Sequence, residues 1–138
     1  MDPRIGSLAM QSLLLDTCAV LWLANGEMDR FSSGAVKALR EADALHISPM
    51  TEWEIALKWR DGGIDLPMPP RELMERFRTH FGISIAPLSE EVMFRATELP
   101  QIHRDPADRF IIATALMSNM TVVTADRRFS EYGAAVVI

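Results

Sequence analysis

Five acidic residues are set out along the chain in a way that could do chemistry: Asp16, Glu54, Asp105, Asp108 and Asp126. Asp16 closes the apolar run Leu13-Leu14-Leu15. Glu54 lies in TEWEIALKWR, Asp105 and Asp108 open DPADRFIIATA, and Asp126 follows TVVT. Each stands where an apolar run passes into a helical pattern. Each also has an ordinary use, because Asp is a favoured N-cap and acids in a first turn suit the helix dipole. Thr51-Glu52-Trp53-Glu54 reads as a capping box, with Thr51 at N-cap and Glu54 at N3. Asp105-Pro106-Ala107-Asp108 reads as an N-cap followed by proline at N1. Caps, however, need one polar group each, and Ser or Asn would serve. Carboxylates from four junctions brought to one sheet edge would repel one another, and a divalent cation between them relieves that. Hard oxygen ligands without a Cys/His cluster point to Mg²⁺ or Mn²⁺ rather than zinc.

Other chemistries fit less well. His46, His80 and His103 are scattered, with no H-x₃-H or HExxH pairing, and His46 is expected to be a packed or rim histidine. Cys18, the single cysteine, is expected to be a small buried apolar side chain. The glycines form neither GxGxxG nor a Walker A loop. Trp22, Trp53 and Trp59 fall in apolar helical stretches and read as core or interface. The formal charge is −5, from 19 acids and 14 bases. Setting aside the five acids above leaves 14 acids against 14 bases, so the negative charge is concentrated at the proposed site. Lys58, Arg60, Arg104, Arg109, Arg127 and Arg128 lie close to it in sequence and are candidates to hold phosphates. For Lys58 the ordinary alternative is an i,i+4 ion pair with Glu54.

The elements that must position these residues alternate. Strands are expected at 13–15, 44–48, 83–86, 121–124 and 134–138. Helices are expected at 19–24, 32–42, 51–61, 70–81, 89–99 and 106–119, the last apolar enough to be buried. Pro67-Met68-Pro69-Pro70 forms a stiff link into the fourth helix. Strands alternating with helices imply βαβ crossovers, hence an α/β fold with a mostly parallel sheet of four to five strands between helical layers. In such sheets ligands bind beyond the carboxyl ends of the strands, where these acids fall.

The length of 138 residues suits one domain, expected at 12–138 behind a short tail or leader at 1–11. Apolar residues make up 49% and charged residues 24%, a globular composition with no extensive disorder. One cysteine, no apolar run long enough to cross a membrane, and Asp16 breaking the one stretch resembling a signal core together suggest a cytoplasmic setting.

LLLDTCAVLWLANG, SPMTEWEIALKWRDGGI, HRDPADRFIIATA and TVVTADRRFSEYG, in this order and spacing, resemble the PIN-domain family, and within it the VapC-like toxins of bacterial toxin–antitoxin pairs. The resemblance spans nearly all of 12–138. It implies an α/β/α sandwich, Mg²⁺- or Mn²⁺-dependent endoribonuclease activity, a small VapB-like antitoxin that blocks the site, and a homodimer. By motif it assigns the family's acids to Asp16, Glu54, Asp108 and Asp126, with Asp105 beside the third. Thr17 and Thr124 match polar positions flanking them. Cys18 departs from the family pattern. Two other readings stand beside this one. The first is an aspartyl phosphotransferase or receiver-like domain using Asp16 as phosphoacceptor, although Asp16-Thr17-Cys18 lacks the second acid of DxD. The second is a non-catalytic binding module that keeps only the fold.

Overall fold

The computed structural model describes residues 11–138. The expected tail therefore lies outside the described residues except for Gln11. That residue is already tied to the fold: its carbonyl accepts from the Asp43 and Ala44 amides, and its own amide donates to the Asp43 carboxylate.

The chain runs β1 (Ser12–Leu15), α1 (Thr17–Ala24), a 3₁₀ turn (Met28–Arg30), α2 (Ser33–Glu41), β2 (Ala44–Ile47), α3 (Pro49–Arg60), α4 (Pro70–Phe81) and β3 (Ile83–Ile85). It continues through α5 (Glu90–Glu98), α6 (Pro106–Ser118), β4 (Thr121–Val123), a second 3₁₀ turn (Arg127–Tyr132) and β5 (Val136–Val137). The sheet has five strands in the order β3-β2-β1-β4-β5, and every pair is parallel. This is the expected α/β class, with neither 3₁₀ turn foreseen from the periodicity.

Alternation along the strands builds two cores. Leu13, Leu15 and Val123 face α1, α2, α3 and α4 through Val20, Leu23, Ala35, Ile55, Met74 and Phe77. Leu14 and Val122 face α5 and α6 through Val92, Ala96, Ile111 and Ile112. Central strands covered on both faces must be apolar throughout, and the Leu13–Leu15 run meets that requirement.

The strand order reverses direction at the β1/β4 junction. From β1 the crossovers step outward through β2 to β3; from β4 they step the other way to β5. In an open α/β sheet the crevice beyond the carboxyl ends at such a switch point is the natural ligand site. Asp16 follows β1 there, and Thr124 and Asp126 follow β4. The Asp16 amide donates to the Val123 carbonyl at 3.1 Å, so the two strand ends leave the sheet together.

Two helix starts differ from expectation. α3 begins at Pro49, with Ser48 as N-cap accepting from the Met50 amide at 3.1 Å. Thr51 is inside the helix and fully buried, so there is no Thr51–Glu54 capping box. Pro49 decides this: its fixed φ and missing N–H suit N1, which draws the N-cap three residues upstream, from Thr51 to Ser48. α1 also begins earlier than expected, at Thr17, because Asp16 caps it through the Ala19 amide at 2.8 Å. Of the tryptophans, Trp53 and Trp59 on α3 are 53% and 40% exposed, so they are surface rather than core. Cys18 is exposed, not buried: α1 turns Thr17, Ala19, Val20 and Leu23 inward, and Cys18 falls outside that buried set.

Candidate active site

Asp16 is held by backbone and is buried. Burial pushes its carboxyl up. The Thr124 hydroxyl and the Ala19 amide oppose that, and the charges of Asp126 and Glu54 reinforce it. Thr124 is buried as well, and its hydroxyl accepts from the Asp126 amide at 3.0 Å. One hydroxyl thus links the acids that follow β1 and β4.

Glu54 lies on the second turn of α3, past the capping positions, so no cap explains it. Lys58 reaches it at 3.0 Å, one turn on. Its second oxygen, Oε2, is buried with no hydrogen-bond partner among the described residues, as is the Thr17 hydroxyl. Glu52, two residues away, points elsewhere and pairs with Arg78 of α4.

At the start of α6, Asp105 is the N-cap expected of it, accepting from the Ala107 amide at 2.8 Å. Asp108 is free of that duty. Burial and then the Asp105 charge push its carboxyl up to about 6, with Glu54 and Asp16 adding to the effect. Asp16, Glu54 and Asp108 therefore sense one another across the crevice and share a partly desolvated setting.

Asp126 is different. It is drawn into a tight set of donors, and the Arg128 guanidinium holds its carboxyl well below the usual range. Arg128 donates through Nε to Oδ1 at 3.0 Å and through Nη2 to Oδ2 at 2.8 Å, and its amide donates to Oδ1. His103 meets Oδ2 at 2.8 Å through Nε2. Histidine spacing had marked none of the three histidines as functional; His103 comes to the site from the loop before α6 and is buried. The sequence signal available was only its place two residues ahead of Asp105.

The six expected phosphate-binding cations divide. Arg104 and Arg127 are exposed. Lys58 and Arg128 are exposed side chains that pair with site acids. Arg60 pairs with its neighbour Asp61. Arg109 is not available to RNA: it donates to the carbonyls of Ala96, Leu99, Pro100 and His103 at 2.7–3.2 Å. A helix C-terminus leaves such carbonyls unpaired, and the guanidinium fork satisfies them.

Among the described residues no three acids, histidines or cysteines stand close enough to hold an ion between them as placed. The donor chemistry nonetheless fits a hard cation. A buried carboxylate oxygen unpartnered among the described residues belongs to Glu54, whose charge reaches two further carboxyls, Asp16 and Asp108, whose ionisation is resisted by burial and by like charge. A divalent ion relieves both.

The family model for the PIN domain matches residues 13–135. Ribonuclease VapC22 of Mycobacterium tuberculosis is 30% identical over 124 residues, covering 89% of this chain and 93% of that protein. Among solved structures, VapBC2 from Rickettsia felis bound to a DNA fragment from their promoter aligns with TM-score 0.66 at 17% identity, covering 91% of this chain and 97% of that one. FitAcB from Neisseria gonorrhoeae aligns with TM-score 0.61 at 22% identity, over 91% and 96% of the two chains.

Proposed function

This chain belongs to the PIN-domain family, and from that membership we propose that it is a divalent-metal-dependent endoribonuclease, the toxin of a VapBC-type toxin–antitoxin pair. The observation that carries the reading is the mutual electrostatic influence of Asp16, Glu54 and Asp108, with Asp108 pushed up to about 6 by burial and its acidic neighbours. Carboxylates that destabilise one another's charge are retained where a cation or a proton is to be handled. The similarity to Ribonuclease VapC22 supports nuclease chemistry.

Asp16, Glu54, Asp108 and Asp126 would hold Mg²⁺ or Mn²⁺. When bound, the ion supplies Lewis-acid polarisation of a phosphodiester, a water of lowered pKa, and stabilisation of the leaving oxygen. The chain's own groups do the rest. Asp16 is oriented by the Ala19 amide and Glu54 by Lys58. Arg104, in the loop before α6, and Arg127, which opens the second 3₁₀ turn, are exposed and would attract the RNA backbone, with Lys58 and Arg128 able to exchange an acid for a phosphate. No histidine base and no protein nucleophile are required, and hydrolysis by water leaves 5′-phosphate and 3′-hydroxyl ends.

The partner would be a VapB-like antitoxin whose tail carries an Arg into the acidic crevice and displaces metal and RNA together. The test is cleavage of a single-stranded RNA in Mg²⁺. The parent is expected to cleave, EDTA to stop it, and Asp16→Asn to lower the rate by about a hundredfold or more. Undiminished cleavage by Asp16→Asn, or in EDTA, would overturn the proposal.

A further inference from the structure

We propose that His103 is a positioning residue for Asp126: a buried, doubly anchored imidazole that donates Nε2–H to Oδ2 and fixes the orientation in which that carboxylate meets a cation. This rests on the metal-dependent reading above. The geometry is closed on every side of the ring. The His103 amide donates to the Tyr132 hydroxyl at 2.7 Å, and the same hydroxyl lies 2.7 Å from Nδ1. A phenol has one proton. A carboxylate oxygen only accepts, so the ring nitrogen facing Asp126 carries the proton; in the neutral ring Nδ1 is then the acceptor, and the Tyr132 hydroxyl donates to it. The ring's own proton is then on Nε2, facing Asp126 at 2.8 Å. Phe129 packs edge-on against the imidazole with centroids 5.0 Å apart, and Arg109 holds the His103 carbonyl at 3.2 Å.

Asp126 has two side-chain partners, and they differ in permanence. Arg128 is 58% exposed and can leave for a phosphate. His103 is 3% exposed and is pinned at its backbone, its Nδ1 and its ring face. When RNA takes Arg128, His103 and the Arg128 amide remain to keep the carboxylate in place. Groups that orient a ligand in this way typically change metal affinity or activity by about ten- to a hundredfold when removed.

The experiment titrates Mn²⁺ alone into the parent, His103→Ala, His103→Gln and Tyr132→Phe, each checked by thermal melting, with RNA cleavage run in parallel. His103→Ala is expected to weaken Mn²⁺ binding about ten- to a hundredfold. His103→Gln should recover much of the loss, since a glutamine amide can again donate to Oδ2. Tyr132→Phe, which removes one hydroxyl, should weaken binding by a smaller factor and keeps the test sound if His103→Ala fails to fold. A long-range ¹H–¹⁵N spectrum of the parent should show the Nε2–H tautomer. Parent Mn²⁺ affinity in folded His103→Ala or, where that variant fails to fold, in Tyr132→Phe, or an Nδ1–H ring, would overturn the positioning role. A parent that binds Mn²⁺ but leaves RNA intact would instead overturn the ribonuclease reading while the link from His103 to the cation stood.

Discussion

Asp105 and Asp108 sit three residues apart at one helix start, yet their carboxyls have different work. Asp105 spends its side chain on the Ala107 amide, so Asp105→Ala should cost about 1 kcal/mol of stability, the usual loss of a cap, with a smaller effect on rate. Asp108 has no such bond to the helix end and is pushed up to about 6. Asp108→Asn keeps the shape and removes the charge. It should lower Mg²⁺-dependent cleavage by about a hundredfold or more. Its effect on stability follows from the raised value. Between the unfolded value of 3.8 and about 6 the native state binds more protons at this site than the unfolded state, so the Asp108 contribution falls as pH rises through that window. Asp16 acts in the same direction. In EDTA, Asp108→Asn should therefore melt above the parent at pH 7, with the advantage gone at pH 3. An equal advantage at both pH values would show that charge is not its source. Should Asp108→Asn cleave at the parent rate while folded Asp105→Ala is inactive, the ligand at this helix start is Asp105.

At the scale of elements, the start of α3 separates two readings of one threonine. As an N-cap, Thr51 would lose about 1 kcal/mol on losing its hydroxyl. Inside the helix its Oγ1 is buried without a partner among the described residues, so Thr51→Val should stabilise the fold by roughly 1 kcal/mol, because an unpaired polar group leaves the interior. Urea titration of the pair gives the sign. The loop before α6 offers a second test. Arg109 closes the end of α5 and the His103 carbonyl with one guanidinium. Arg109→Lys cannot reproduce the fork. It should cost on the order of 2 kcal/mol and make residues 99–105 the first site of limited proteolysis; unchanged cleavage kinetics there would show that other contacts hold the loop.

For the whole molecule, the exposed apolar side chains matter more than the core. Trp53 and Trp59 on α3, Met93 and Phe94 on α5 and Met117 on α6 all lie open. Aromatic and Met side chains in this setting mark association surfaces. Sedimentation equilibrium at micromolar concentration should give about twice the chain mass of 15.5 kDa; a clean monomer would exclude the homodimer. If α3 forms the contact, Trp53→Glu should return the monomer without lowering the melting temperature of the fold. Among the described residues no helix is long and apolar enough to cross a membrane.

The chain itself carried the elements and the acids. Apolar runs at 13–15 and 122–123, proline and glycine at element ends, and carboxylates just past the strands are local features, and local chemistry suffices to read them. Which of two acids caps α6 was legible for the same reason, since Pro106 marks N1. The tertiary structure decided what depends on residues far apart in sequence. It set Arg128 and His103 on Asp126, spent Arg109 on carbonyls instead of leaving it for phosphate, and brought Tyr132 to His103 across 29 positions. It also raised Asp108, because burial and the charges of Glu54 and Asp16 act only once the sheet has gathered them. Side-chain type and spacing say which groups a residue can hold; only the closed fold says which neighbour reaches it first.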